Sequence, residues 1–420
     1  MERNSYVAAI DIGTTKIAAV IGDVTPTGRV RVVEQHCISS QGVDRGLVVN
    51  VEDTADSIKK CLNELYKKVD MRPSRVVVGI AGRHISSRQS SAQRIRPKPA
   101  GLITEREVAD LKQQMYNIKL KPGQEILHVI PQEYIIDGMP VEKAVGCSGN
   151  VLIGSYYIVV SDTSAMEKIE MCIARCGITM DNLILEPIAS ANAVLTKEER
   201  DAGTVLLDIG GGTSDMLIYY KNIVRSAVVI PSGGEVVTND IRDACKISYQ
   251  MAERLKCEHG SCFSESCSKN IIIPFQRDTA GREQGKITQK LLAEIINDRM
   301  EQVVDAVNYT IMESGYEREI SSIVLTGGGA QLQHLPQLFK LRTGLDVRVG
   351  YPRVQRVGDG KSYNLLPKMA TSVGLMMNGY QSEQATGKGI TFFETLPFVK
   401  KIKEKLKTVF DEANDKYVLN

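Results

Sequence analysis

The chain has no tryptophan, and aromatic residues fill only 5% of its 420 positions. Stacking platforms for single-stranded bases and aromatic clefts for sugars are therefore not expected. Charge of one sign is missing as well. The 52 Lys and Arg residues against 50 Asp and Glu leave +2, so global charge selects no nucleic acid or other acidic partner. No apolar run approaches the roughly 18 residues of a spanning helix, and the first residues lack a signal-peptide core. The nine cysteines follow no framework spacing, as reduced thiols do, and these absences together predict a cytosolic chain. Apolar residues at 43% and charged residues at 24% rule out wholesale disorder, and the length predicts roughly two to four domains.

What the sequence does contain is an internal repeat. The apolar run Tyr6–Ile10 ends in Asp11-Ile12-Gly13-Thr14-Thr15-Lys16, and a second strand, Ile17–Ile21, follows. Far downstream, Thr204–Leu207 leads into Asp208-Ile209-Gly210-Gly211-Gly212-Thr213-Ser214-Asp215 and the strand Met216–Tyr220. Each unit is a strand, an Asp at its exit, a Gly/Thr turn and a returning strand. The surroundings repeat too. A β-prone stretch (Arg29–Ser39, Ile223–Ile230) precedes a helical one (Glu52–Val69, Gly234–Lys246), and each half later supplies a strand ending in glycine, Arg75–Ile80 and Ser322–Thr326. Two similar α/β halves predict a cleft between them.

The stretch between the halves reads differently. Arg83–Gly101 is polar and basic, an extended loop or an edge hairpin. Thr104–Asn117 reads as a helix opened by a Thr104/Glu107 capping box, and the strands Glu125–Ile130 and Ser155–Ser161 follow. This is a small α+β insertion.

Glycine in a hairpin turn lets backbone N–H groups come close to phosphate oxygens. Thr14, Thr15 and Thr213 add hydroxyls and Lys16 a point charge, while Asp11 and Asp208 are placed to hold hydrated Mg²⁺. Either turn alone is also an ordinary tight turn; related by the repeat, they read as phosphate turns. Gly327-Gly328-Gly329 after a buried strand allows close approach of a nucleotide, or is a plain strand-to-helix turn. Glu253 and Lys256, on one face of the helix-like stretch Gln250–Cys257, grip a ribose or adenine edge or form a surface ion pair. A Walker A motif is absent, since Gln355 stands where Gly360-Lys361-Ser362 would need glycine, and no GxGxxG occurs. Cys257, His259, Cys262 and Cys267 offer soft ligands, but their Cx₄Cx₄C spacing favours free thiols over zinc. His128, on an apolar strand, is expected to be a packing histidine.

These motifs resemble the phosphate 1, phosphate 2 and adenosine motifs of the superfamily that unites actin, heat-shock chaperones and sugar kinases. Glu186-Pro187-Ile188-Ala189-Ser190-Ala191 resembles its first connecting helix and Ala370–Gly379 its second. Within that superfamily, Glu125–Tyr134 with Asp137-Gly138, and Val145–Gly149, resemble the FtsA family of cell-division proteins. The resemblance covers almost the whole chain. It implies an actin-like α/β fold, two duplicated halves around a nucleotide cleft, with an FtsA-type α+β insertion subdomain. The first half would take residues 1–83 with 165–195 and 350–380, the insertion 84–164, and the second half 196–349 with a smaller subdomain at about 231–300.

The resemblance also implies function: ATP and Mg²⁺ as cofactors, weak hydrolysis at most, and assembly into filaments through the insertion. Nucleotide binding would fall to Asp11, Gly13, Thr14, Thr15, Lys16, Asp208, Gly210, Gly211, Gly212, Thr213, Glu253, Lys256, Gly327, Gly328 and Gly329. Glu186 is the candidate to orient water, or is simply an acid favouring a helix N-terminus. Implied partners are FtsZ, further copies of the chain, anionic membrane lipid and other division proteins. The place implied is the cytoplasmic face of the bacterial membrane at the division site, held peripherally. An ATP-dependent enzyme or chaperone on the same fold is the alternative.

The tail discriminates between them. After a polar linker at 381–389, residues 390–420 carry an amphipathic pattern in which Phe398, Val399, Ile402, Leu406, Val409 and Phe410 share one helical face. Lys400, Lys401, Lys403, Lys405 and Lys407 against Glu404 give a net +4 there. Such a segment is an interfacial membrane anchor, or a helix docked on the body with a solvated lysine face.

Overall fold

A computed structural model of the chain describes residues 6–24, 30–69, 72–96, 101–276, 284–356 and 365–385. The meander β1 (Tyr6–Ile12), β2 (Lys16–Val24) and β3 (Val30–Ser39) comes first. A minute hairpin, β4 (Val43–Asp44) and β5 (Leu47–Val48), leads into α1 (Val51–Tyr66). Asn50 starts that helix by accepting the N–H groups of Glu52 and Asp53. β6 (Arg75–Ile80) then runs parallel to β1.

The insertion follows as β7 (Ser86–Ile95), α2 (Glu105–Met115), β8 (Gln124–Ile136), β9 (Met139–Val141) and β10 (Val151–Asp162), in the sheet order β7-β10-β8-β9. The basic stretch read as a loop or edge hairpin is the edge strand β7, mostly exposed and paired on one side to β10. The expected capping box is formed: Thr104 Oγ1 accepts from Glu107 N–H at 3.3 Å, and Glu107 Oε2 accepts from Thr104 N–H at 2.9 Å.

The chain returns through α3 (Thr163–Arg175), β11 (Thr179–Leu185), α4 (Glu186–Val194) and α5 (Lys197–Ala202). The second meander is β12 (Thr204–Ile209), β13 (Ser214–Tyr220) and β14 (Ile223–Ile230). Next come α6 (Gly234–Cys245), α7 (Tyr249–His259), the pair β15 (Ile272–Gln276) and β16 (Gln284–Thr288), and α8 (Gln289–Glu313). β17 (Ser322–Thr326), α9 (Leu335–Thr343), β18 (Asp346–Val349), β19 (Gln355–Arg356) and α10 (Ala370–Ala385) complete the described chain.

The duplication anticipated from the repeat is present in the topology. One sheet runs β3-β2-β1-β6-β11, with β19 added at the β3 edge, and the other runs β14-β13-β12-β17-β18. In both, three antiparallel strands are followed by two parallel ones. The strands are apolar because both faces are covered. Ile10, Ile17 and Ile21 are fully buried, each stabilising by about 2 kcal/mol.

Helices α4 and α10 cross where the halves join. Ala189, Ala191 and Ala193 are fully buried on α4, and Gly374 of α10 lies against the Ala189 backbone. Small residues there let the two backbones touch. The insertion is tied to both halves as well. His128 Nε2 on β8 accepts the Leu185 N–H at 3.0 Å, while Gln132 Nε2 donates to the Val224 carbonyl at 2.7 Å and the Ala227 N–H donates to the Tyr157 hydroxyl at 2.8 Å. Burial pushes the His128 pKa down to about 3, so it is a neutral acceptor, the satisfied packing histidine expected. Among the described residues, no helix is long and apolar enough to cross a membrane.

Candidate nucleotide-binding site

Two hairpin turns of the same geometry face each other. Gly13 N–H donates to the Lys16 carbonyl at 2.9 Å and Gly210 N–H to the Thr213 carbonyl at 2.9 Å. The N–H groups of Thr14, Thr15, Gly211 and Gly212 donate to no described residue and remain available. The tips are in contact: a methyl on Gly212 would lie 2.7 Å from Thr14 Oγ1, and one on Gly211 would strike the Thr15 side chain. Only glycine leaves the two turns this close.

Charged groups gather behind the tips. Asp11, 3% exposed at the exit of β1, accepts from Lys16 Nζ at 2.6 Å. Burial opposes the Lys16 charge, but Asp11, then Asp208 and Glu186, outweigh it and raise the ammonium above its ordinary pKa. Asp208 Oδ2 accepts from Ser190 Oγ of α4 at 2.6 Å and from Thr371 Oγ1 of α10 at 3.1 Å. Both crossing helices thus hold one carboxylate. Burial raises the Asp208 pKa, against those hydroxyls and Lys16. Glu186 opens α4 ahead of Pro187, and burial followed by the charges of Asp11, Asp215 and Asp208 pushes its carboxyl well above the usual range.

The segments expected to meet the nucleoside join this cluster. Gly327, at φ +86°, lies against the Asp208 carboxylate, and a methyl there would sit 2.5 Å from the Ile209 carbonyl. Gly329 packs on the Ile209 side chain, and Gly328 has open space beside it. On the other flank, Lys256 Nζ reaches the Gly234 carbonyl at 2.9 Å, Thr238 Oγ1 at 2.7 Å and Glu253 Oε2 at 2.7 Å. Gly234 N–H in turn donates to the Gly210 carbonyl at 2.9 Å. With Lys256 buried, this is no surface ion pair; it fastens α7 to the start of α6 and to the second turn. Burial raises Glu253, but Lys256 and Thr238 bring its pKa below the ordinary value. Near the end of α7 Cys257 is exposed, and just past the helix Cys262 is buried, its thiol pushed up to about 12 by burial.

Asp215 was within the second motif but received no role in the sequence reading. It stands directly across the hairpin from Asp208, and its Oδ1 is buried without a hydrogen-bond partner. Burial, then Asp208 and Asp11, push it well above the usual carboxyl range. Counting residues around a four-residue turn would have placed it there. Ser190 and Thr371 left no such signal, being 181 positions apart.

The donor set suits a nucleotide with a hydrated cation. Free turn amides, hydroxyls and Lys16 match phosphate oxygens. The unpartnered Asp215 oxygen beside Asp11 and Asp208 matches the water shell of Mg²⁺. Among the described residues, no three His, Cys, Asp or Glu side chains are placed to hold a metal ion by themselves. Phe398, Val399, Ile402, Leu406, Val409 and Phe410, expected from the sequence to form a membrane anchor, lie outside the described residues.

Two family models match: "Cell division protein FtsA" over residues 205–374 and "SHS2 domain inserted in FTSA" over residues 82–160. The cell division protein FtsA of Neisseria meningitidis is 32% identical over 380 residues, 89% of this chain and 90% of its own. Among solved structures, the PilM-PilN type IV pilus biogenesis complex aligns with a TM-score of 0.62 at 16% identity, covering 89% of this chain and 98% of that one. MreB5 of Spiroplasma citri bound to ADP aligns with 0.53 at 15% identity, covering 91% and 99%. These likenesses establish the fold as actin-like, with the SHS2 insertion.

Proposed function

Because the chain belongs to the FtsA family of cell-division proteins, we propose that it is an ATP-binding scaffold that polymerises and tethers FtsZ to the cytoplasmic membrane at the division site. The observation that carries this reading is the meeting of the two turns, Thr14 and Thr15 against Gly211 and Gly212, in front of Asp11, Lys16 and Asp208. Bound Mg·ATP would supply negative charge that both halves can share and a terminal phosphate open to slow hydrolysis. Turn amides from each half would bind the phosphates, so the halves are drawn together. Lys16 would leave Asp11 for phosphate oxygen, and Asp11 and Asp208 would orient the cation's waters. Glu186 would position an attacking water. The nucleotide-bound MreB5 neighbour supports the cofactor.

Ser190 and Thr371 carry the state of Asp208 into the crossing helices α4 and α10. The insertion, tied to both halves through His128, Gln132 and Tyr157, would feel the same closure and present it to the next protomer. The basic amphipathic pattern at 398–410 would hold each protomer only reversibly on anionic lipid, and filament avidity would supply the rest. Sedimentation with anionic liposomes tests this. The full chain is expected to pellet, more completely with Mg·ATP and less at high salt. Phe398→Glu with Ile402→Glu should abolish pelleting and leave ATP binding intact. Undiminished pelleting of the double variant would place the anchor elsewhere.

A further inference from the structure

The charges of the cleft are out of balance. Lys16 is the basic side chain among the charge partners of Asp11, Asp208 and Glu186, and the charges acting on Asp215 are the carboxylates Asp208 and Asp11. A nucleoside triphosphate adds more negative charge, and Mg²⁺ offsets two units of it. A second cation facing the turns would relieve that excess.

The hairpin β4–β5 delivers one, and it belongs to neither copy of the repeat. At its tip Arg45 and Gly46 both take positive φ, 45° and 77°. For arginine this is a left-handed backbone that few non-glycine residues adopt. The tip touches both phosphate turns. Gly46 N–H donates to Thr14 Oγ1 at 3.0 Å, and a methyl on Gly212 would lie 3.1 Å from Arg45 Cα. Behind, the tip rests on the end of β6: a methyl on Gly46 would be 2.7 Å from the Ala81 carbonyl, and one on Gly82 would be 3.0 Å from the Arg45 carbonyl. The backbone is thus clamped from both sides. The Arg45 side chain, in contrast, is exposed and makes no hydrogen bond or ion pair with any described residue.

We propose that Arg45 is a phosphate-binding residue that reaches from the β4–β5 tip to the terminal phosphate of a nucleoside triphosphate held between the two turns. The proposal rests on the nucleotide cleft of the preceding section and names the group that distinguishes triphosphate from diphosphate there. Position selects the terminal phosphate. The tip sits at Thr14 and Gly212, whereas the nucleoside motif at Gly327 and Gly329 packs on Asp208 and Ile209 behind the turn. Guanidinium suits the task because its planar fork makes two parallel hydrogen bonds to phosphate oxygens, which lysine cannot do. Strained backbone is kept where it aims a functional side chain.

Isothermal titration of the full chain with Mg·ATP and Mg·ADP tests it, using Arg45→Asn and Arg45→Lys. Asparagine tolerates the left-handed tip and removes the charge. Arg45→Asn is expected to weaken ATP binding by roughly 30-fold and ADP binding by less than about twofold, with Arg45→Lys in between for ATP. Equal loss for both nucleotides would mean a structural tip, and no loss would mean that the side chain is not at the phosphate; either overturns the proposal. If the unaltered chain bound neither nucleotide, the cleft reading itself would fall with it.

Discussion

In the Asp208→Ala variant, Mg·ATP affinity is expected to fall by roughly 100-fold, the loss typical when a carboxylate that orients a metal's shell is removed. Folding should change little. The substitution strands the Ser190 and Thr371 hydroxyls that donate to Asp208, which costs stability. It also removes a buried carboxylate crowded by Asp11, which restores some. The two effects oppose each other, so the melting temperature should move by only about 2 °C. ATP affinity measured in EDTA should change far less than affinity with Mg²⁺. Equal affinity in the variant and the unaltered chain, with Mg²⁺ present, would dissolve the two-turn assignment. A variant that failed to fold would be recognised by circular dichroism, and Asp208→Asn, which keeps an acceptor for both hydroxyls, would replace it.

The largest stability effect is expected in the insertion. Arg96, 9% exposed, donates to Glu107 Oε1 at 2.9 Å and to the carbonyls of Gly101, Gly149 and Leu102 at 2.9, 2.8 and 3.1 Å. One guanidinium therefore closes the start of α2 onto two loops. Arg96→Met leaves three carbonyls and a carboxylate without that partner, at a cost of about 3–5 kcal/mol. Hydrogen exchange should show the 86–162 region opening while the cleft stays protected. Glu107 gives the same contact a pH signature. The Thr104 N–H, then Arg96, hold its pKa at about 2 instead of 4.5. A depressed carboxyl stabilises the folded state above the unfolded value and loses that contribution as pH falls through the folded one. Protection of the insertion should therefore decline from about pH 4.5 toward about pH 2, and Glu107→Gln should flatten that decline. Unchanged exchange in Arg96→Met would mean that the clamp does not hold the subdomain.

Much of this architecture was legible because it is written twice. A strand ending in Asp, a Gly/Thr turn and a returning strand is a local pattern, and its recurrence at Asp11 and Asp208 announced two matching sheets. The Thr104/Glu107 box was equally local and formed as expected. What stayed hidden depends on contacts far apart in sequence. The β4–β5 hairpin has strands of two residues each, too short for any alternation to show. Arg45 gains meaning only when Gly212 is brought beside it. For Lys256 the sequence left a nucleoside grip and a surface pair both open, because helical spacing reports neighbours along a helix, not what covers them; α6 covers it. The insertion was recognisable by its own motifs, but its bonds to Leu185, Val224 and Ala227 could not be read from them. Those bonds join segments separated by 57, 92 and 70 positions.

The central claim, a nucleotide seated between the two turns, is tested most directly by titrating the full chain with ATP, with and without Mg²⁺, in a calorimeter. The cleft predicts saturable binding of one ATP per chain that weakens markedly when Mg²⁺ is removed. An absence of binding, or binding indifferent to Mg²⁺, would contradict it.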